Sequence, residues 1–152
     1  MPERTRLNEA NCSLARALDA VGDWWTLLIV RDAAMGIQRF SDFRNSLGIA
    51  RNILTDRLRR LCSAGVMQRG PNGFYELTHK GWDLLVPIVA LTQWGDRWQF
   101  DNGPPVIIET RSRRPIRTMQ LTDDSGAAVS PADLVFSAGP GATDATRTFL
   151  GG

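Results

Sequence analysis

A mainly α-helical fold with a small β ribbon, of the α+β class, follows from three observations between Arg39 and Leu77. The first is a short helix pattern, SDFRNSLG, with Ser41 as candidate N-cap and Gly48 as its stop. The second begins just past Ile49, where ARNILTDRLRRLCSAG carries helical periodicity and a stop signal at Gly65. The third, VMQRGPNGFYEL, reads as two short strands around Pro71-Asn72-Gly73, a hairpin with glycine at its tip. Helix, tight turn, basic helix and basic hairpin, in that order, predict a winged helix-turn-helix.

The second helix separates its residues by chemistry. At about 100° per residue, with Leu54 at zero, Leu58 and Leu61 fall at about 40° and −20°, a single apolar stripe for the core. Asn52, Thr55, Asp56, Arg59 and Ser63 fall between about 100° and 200°, on the opposite face. Asn and Arg are the side chains that pair bidentately with adenine and guanine edges. Arg57 and Arg60 lie on the flanks, where phosphate contact is expected. Charge supports the same placement. From Ile37 to Gly70 seven arginines (39, 44, 51, 57, 59, 60 and 69) face two aspartates, a local net of +5 in a chain whose net charge is +2. A basic patch concentrated on the candidate reading unit is what a polyanionic partner requires.

The segments on either side are apolar beyond what one small core absorbs. Leu14–Val21 and Trp24–Met35 are two helix candidates broken at Gly22, with Asp23 available to cap the second. In the second, Trp25, Leu28, Ile29 and Asp32 lie along one side. Thr78 is placed to cap a long helix running to about Trp98, with a kink expected at Pro87. Exchange of these faces with a second copy, giving a homodimer, is the simplest way to bury them. Packing on their own domain is the alternative.

Several separate motifs resemble one family. CSLARALDAVGDWWTLLIVRDAAMG, RFSDFRNSLGIARNILTDRLRRLCSAGVMQR, YELTHKGWDLL and WGDRW, in that order from Cys12 to Phe100, resemble the HxlR branch of bacterial winged-helix regulators, itself similar to the MarR group. They cover about six tenths of the chain. The resemblance implies a homodimeric transcription regulator. In it the helix Arg51–Ala64 enters the major groove, the Arg69–Phe74 wing lies along the backbone, and the flanking helices dimerise. The expected contacts to double-stranded DNA are Arg39, Ser41, Arg51, Asn52, Thr55, Asp56, Arg57, Arg59, Arg60, Arg69 and Asn72. One departure is Ala50-Arg51 at the start of the reading helix, where many members have Ser followed by Pro, so a side-chain N-cap is missing. Two reading helices on a two-fold axis need half-sites about one helical turn apart, so an inverted-repeat operator is expected, with repression by promoter occlusion. The resemblance further implies that a thiol at the position of Cys12 can sense oxidants or electrophiles in some members. A small-molecule effector is also open. At a helix N-terminus the thiolate is favoured by the exposed amides; a small apolar side chain at a dimer seam is the other reading of Cys12. Cys62 is read as packing. The alternative to DNA reading is a winged helix that binds protein.

Composition narrows the classes. The hydrophobic content of 43% with five tryptophans supports a true core. No run approaches the length of a membrane span, and MPERTRLNEANC has no apolar h-region, so a cytoplasmic protein without membrane association is expected. An enzyme is not expected: the single histidine, His79, has no neighbouring cysteine, and no P-loop, H-E-x-x-H, G-x-S-x-G or G-x-G-x-x-G occurs. No cofactor or metal is expected either. The anticipated organisation is a reading and dimerisation domain over residues 1–100, a small extension over 101–138 and a flexible tail over 139–152. In the extension, Val106–Thr110, Ile116–Leu121 and Asp133–Ser137 are strand candidates, with TDDSG as a turn. GPPVIIETRSRRPIRTMQL resembles the start of the zinc-ribbon-like module of longer HxlR-like chains. Paired Cys or His ligands are absent from this tail, so any such module must be metal-free.

Overall fold

The computed structural model describes residues 7–151; the opening segment without an apolar h-region lies partly outside them, at residues 1–6. The chain divides into two compact units, Met1–Ile88 and Val89–Gly152.

In the first unit, α1 (Ser13–Val21) and α2 (Trp24–Ala34) are separated by Gly22 and Asp23. Asp23 caps α2 as expected: its carboxylate accepts from the Thr26 N–H at 3.0 Å and the Thr26 hydroxyl at 2.7 Å. Next come α3 (Phe40–Leu47) and α4 (Arg51–Ser63), joined by Gly48, Ile49 and Ala50. Gly48 has φ of 61°, a left-handed conformation that ends α3 and turns the chain, and buried Ile49 pins the turn to the core. Strands β1 (Met67–Arg69) and β2 (Tyr75–Leu77) pair antiparallel, with Met67 opposite Leu77 and Arg69 opposite Tyr75. The short α5 (His79–Asp83) follows, capped by the Thr78 hydroxyl, which accepts from the Gly81 N–H at 3.2 Å. The core gathers Ile29 and Val30 from α2, Phe43 from α3, Leu54, Leu58 and Leu61 from α4, and Val66 and Met67 at β1. Each of these is fully buried, and such burial stabilises by about 2 kcal/mol per side chain before entropy is counted.

Two helix boundaries differ from the sequence expectation. Ser41 is not the N-cap of α3. The helix begins two residues earlier than that cap would place it, with Arg39 in the extended cap position and no side-chain cap, so Ser41 lies in the first turn and its hydroxyl donates to Asp42 at 3.2 Å. The long helix after Thr78 is broken rather than kinked, because Leu84 separates α5 from α6 (Leu85–Gln99). Pro87 explains the position of the break. It has no N–H for the carbonyl four residues back, that of Asp83, and its ring crowds that carbonyl. As the third residue of α6, Pro87 sits in the first turn, where a missing donor costs least.

In the second unit, the rest of α6 is followed by mostly irregular chain. The expected strands at Val106–Thr110 and Ile116–Leu121 reduce to one bridge, Glu109 to Pro115, and to β3 (Leu121–Thr122), which pairs with β4 (Ala128–Val129). Prolines 104, 105 and 115 remove the donors that longer ladders need. TDDSG does form the connecting turn. The Asp123 carboxylate accepts from the Ser125 hydroxyl at 2.6 Å and from the Ser125 and Ala127 N–H groups. These hydrogen bonds, the Ser125 hydroxyl first, hold its pKa below the ordinary value. Asp133–Ser137 is not a strand: residues Pro131–Asp133 make a 3-10 turn. The stretch expected to be a flexible end contains α7 (Asp144–Phe149), capped by Thr143. Among the described residues, no helix is long and apolar enough to cross a membrane.

Candidate nucleic-acid interface

With Leu54, Leu58 and Leu61 turned into the core, α4 exposes Arg51, Asn52, Thr55, Arg59 and Arg60. This is the face that the 3.6-residue period predicts. Arg59, whose side chain is 68% exposed, projects furthest among the ion-paired arginines of this helix. The Thr55 hydroxyl donates back to the Arg51 carbonyl at 2.8 Å, a local bond that fixes its rotamer. Ala50 stands at the N-cap without a side-chain hydrogen bond, as its residue type dictates.

Asp56 occupies the centre of this face. Its carboxylate meets Arg57 at 2.6 Å, Arg59 at 2.6 Å and Arg60 at 2.8 Å. Partial burial pushes its pKa up, but the Arg59 hydrogen bond, the Arg60 charge and the contacts from Arg57 outweigh that and leave it below the ordinary value. Arg57 does not project as a free flank residue. Its side chain is 23% exposed and lies between Asp56 and Asp23, with Nε 3.0 Å from the Asp23 carboxylate. That second contact is an ion pair without hydrogen-bond geometry. Arg57 therefore ties α4 to the start of α2.

The hairpin between β1 and β2 is held at both ends and carries cations. The Tyr75 N–H donates to the Gln38 carbonyl at 2.8 Å, which joins β2 to the segment leading into α3. The Thr78 hydroxyl donates to the Gly65 carbonyl at 2.5 Å, and Lys80 to the Ala64 carbonyl at 2.6 Å. At the tip, Asn72 Oδ1 accepts from the Phe74 N–H at 3.1 Å, so Asn72 acts first as a turn former. Arg69 stacks over Tyr75 at 5.4 Å and donates to the Gly73 carbonyl at 3.3 Å; Arg39 stacks over Phe74 at 4.9 Å. Stacking orders these guanidinium groups while leaving their charge available. Among the described residues, Arg39, Arg44, Arg51 and Arg69 make no ion pair. The α3–turn–α4 unit and the wing thus combine a charge-paired centre with unpaired cations around it.

Cys12 stands exposed at the N-cap of α1. Cys62 packs against the core, and that burial pushes its thiol pKa up, with Arg69 opposing. Sequence reasoning missed the support behind the face. Asp32 is fully buried and accepts from Arg31 at 2.6 and 2.9 Å and from the Ser46 hydroxyl at 2.7 Å, which clamps α3 to α2. An aspartate on the apolar side of α2 was the available signal. Nothing local announces the Gln38–Tyr75 bond.

The family model for the HxlR-like helix-turn-helix matches residues 20–102. The uncharacterized HTH-type transcriptional regulator Rv3095 of Mycobacterium tuberculosis is 44% identical over 101 residues; the alignment covers 62% of this chain and 64% of that relative, so the chain spans just under two thirds of its length. Among solved structures, PA1607, described as a candidate transcription factor, superposes with a TM-score of 0.79 at 39% identity, covering 88% of this chain and 99% of that one. Quinone-bound YodB from B. subtilis superposes with a TM-score of 0.52 at 26% identity, covering 57% of this chain and 99% of that one.

Proposed function

The chain belongs to the HxlR-like helix-turn-helix family, and from that premise we propose that it is a transcriptional regulator reading double-stranded DNA with α4 and its wing. The observation that carries this reading is the exposed row Asn52, Thr55 and Arg59, backed by buried Leu54, Leu58 and Leu61. In a major groove, Arg59 and Asn52 contact base edges. Arg39, Arg51, Arg60, Arg69 and the tip residue Asn72 contact phosphates, and Ser41 adds a backbone hydrogen bond from α3. Asp56 and Arg57 shape the face: the first orients Arg59 and Arg60, the second fixes the helix to α2.

The working unit is a homodimer on an inverted-repeat operator, acting as a repressor by occluding a promoter. Leu14 on α1, Trp24 on α2, and Trp94 and Trp98 on α6 are large apolar side chains left exposed. A second copy supplies the missing cover, as it does for apolar surface generally. Release from DNA by an oxidant or electrophile would act through Cys12, exposed at a helix start. The quinone held by YodB belongs to that chemical class.

Charge reversal at Arg59 tests the reading. Arg59→Glu should abolish preference for the chain's own upstream DNA while its sedimentation and circular dichroism match wild type. Unchanged DNA binding with altered capture of a protein partner would instead establish the protein-binding alternative. For the thiol, Cys12→Ser should stay on DNA under a quinone that releases wild type; equal release of both removes Cys12 from the mechanism.

A further inference from the structure

The second unit concentrates its positive charge in one place. From Glu109 to Arg117 there are four arginines, at 111, 113, 114 and 117, against one acid, a net of +3. The rest of the sequence from Asp101 onward holds five acids and one base, a net of −4. All four arginines are exposed. Among the described residues, Arg111, Arg114 and Arg117 have no carboxylate partner, and Arg113 pairs with Glu109 at 2.5 Å. Like charges crowded into nine residues repel each other, and a bound polyanion relieves that repulsion.

The arginines stand on an ordered hairpin. Glu109 bridges Pro115. The Thr110 N–H donates to the Arg114 carbonyl at 2.8 Å, the Arg113 N–H to the Thr110 carbonyl at 2.9 Å, and the Ile116 N–H to the Ile108 carbonyl at 2.9 Å. The Thr110 hydroxyl accepts from the Arg114 N–H at 3.1 Å. Arg113 turns the tip with φ of 62°, a left-handed conformation unusual for a residue with a β-carbon. The base is fixed to α6 through Gln93, which donates to the Arg117 carbonyl at 3.0 Å and accepts from the Met119 N–H at 2.7 Å. A basic loop that is already ordered loses little conformational freedom on binding.

We infer that the hairpin Glu109–Arg117 is a second, sequence-independent arm that contacts backbone phosphates of double-stranded DNA. The inference rests on the DNA-binding reading above and adds a separate contact to it. Guanidinium groups suit phosphate oxygens, and phosphate contacts add affinity without sequence information.

The test uses the full chain with its own upstream duplex and a scrambled duplex of equal composition, titrated between about 50 and 200 mM salt. In the triple variant R111Q/R114Q/R117Q, the slope of log K against log salt should become shallower by about 0.9 per lost contact, about 2.7 for all three. Both duplexes should weaken by the same factor, so their ratio stays at the wild-type value. The charge-preserving R111K/R114K/R117K should restore the slope. A slope equal to wild type in the glutamine variant overturns the arm. A glutamine variant that changes the ratio alone also overturns it, since base reading would then be involved. Failure of the underlying reading looks different: wild type would bind neither duplex, or Arg59→Glu would leave the preference intact.

Discussion

Replacing Asp56 by asparagine removes the one carboxylate that Arg57, Arg59 and Arg60 share, at 2.6, 2.6 and 2.8 Å. Two of the partners are 68% and 44% exposed, so each of those pairs falls at the low end of the 0.2–1 kcal/mol typical of surface bridges; the half-buried Arg57 pair contributes more, and the total is about 1 kcal/mol. For a chain of this length that corresponds to roughly 3 °C in Tm. The pH dependence has a definite sign. Because the folded carboxyl titrates below its ordinary value of 3.8, its stabilisation is present above that pH and is lost as pH falls through the lower folded value, so wild type and Asp56→Asn should converge in stability below about pH 3.8. On DNA the two effects oppose. The variant gains one net positive charge, so binding to scrambled duplex should tighten, with a slope steeper by about 0.9 if one freed arginine reaches a phosphate. Arg59 loses its orienting partner, so discrimination between specific and scrambled duplex should fall by about tenfold, the lower part of the 1–3 kcal/mol of a bidentate base contact. Fluorescence anisotropy on both duplexes over a salt series measures all of this. A small loss of Tm with ratio and slope both at wild-type values would refute the orienting role and leave Asp56 a purely structural acid.

Other expectations concern the scaffold behind the face. Leu58→Ala deletes a fully buried side chain at the centre of the α4 stripe and should cost about 3 kcal/mol in urea unfolding; a loss under about 1 kcal/mol would mean that α4 is not anchored as described. Gly81→Ala places a methyl group 2.2 Å from the Val66 carbonyl oxygen and 3.0 Å from Leu77, so α5 must back away from the sheet, at a cost of about 2 kcal/mol by thermal unfolding. Asp32→Ala strands the Ser46 hydroxyl and frees Arg31, which is 43% exposed and rehydrates; the loss should be about 2 kcal/mol, less than for a fully buried pair, with weaker hydrogen-exchange protection in α3.

What could be read along the chain was whatever local chemistry controls. The leucines at 54, 58 and 61 fix the orientation of α4 by period alone, and Asp23, Thr78, Gly48 and Gly65 act at the element ends where their side chains or backbone freedom predict. Ser41 misled because a good capping residue stood two positions too late: the extended backbone of Arg39 had already opened the helix. The break at Leu84 follows from Pro87 once the missing bond to Asp83 is counted, yet the apolar period runs on through it. Contacts between distant segments left no trace in any window. The Arg57–Asp23 pair spans α4 and α2, the Ser46–Asp32 bond α3 and α2, and the Tyr75–Gln38 bond the wing and the approach to α3. The tail was harder because its strands are two residues long and its prolines interrupt apolar runs that otherwise look like sheet.

The fastening of the wing at Gln38 and at the Gly65 carbonyl has a mechanical consequence. With β2 held at Tyr75 and at Thr78, the loop from Gly70 to Phe74 is closed on itself, by the Gly70 N–H to the Phe74 carbonyl at 2.8 Å and the Gly73 N–H to the Gly70 carbonyl at 2.9 Å. On the DNA-binding reading proposed above, step-to-step differences in groove width would meet a wing braced at Gln38 and Gly65 like a bracket rather than a free loop.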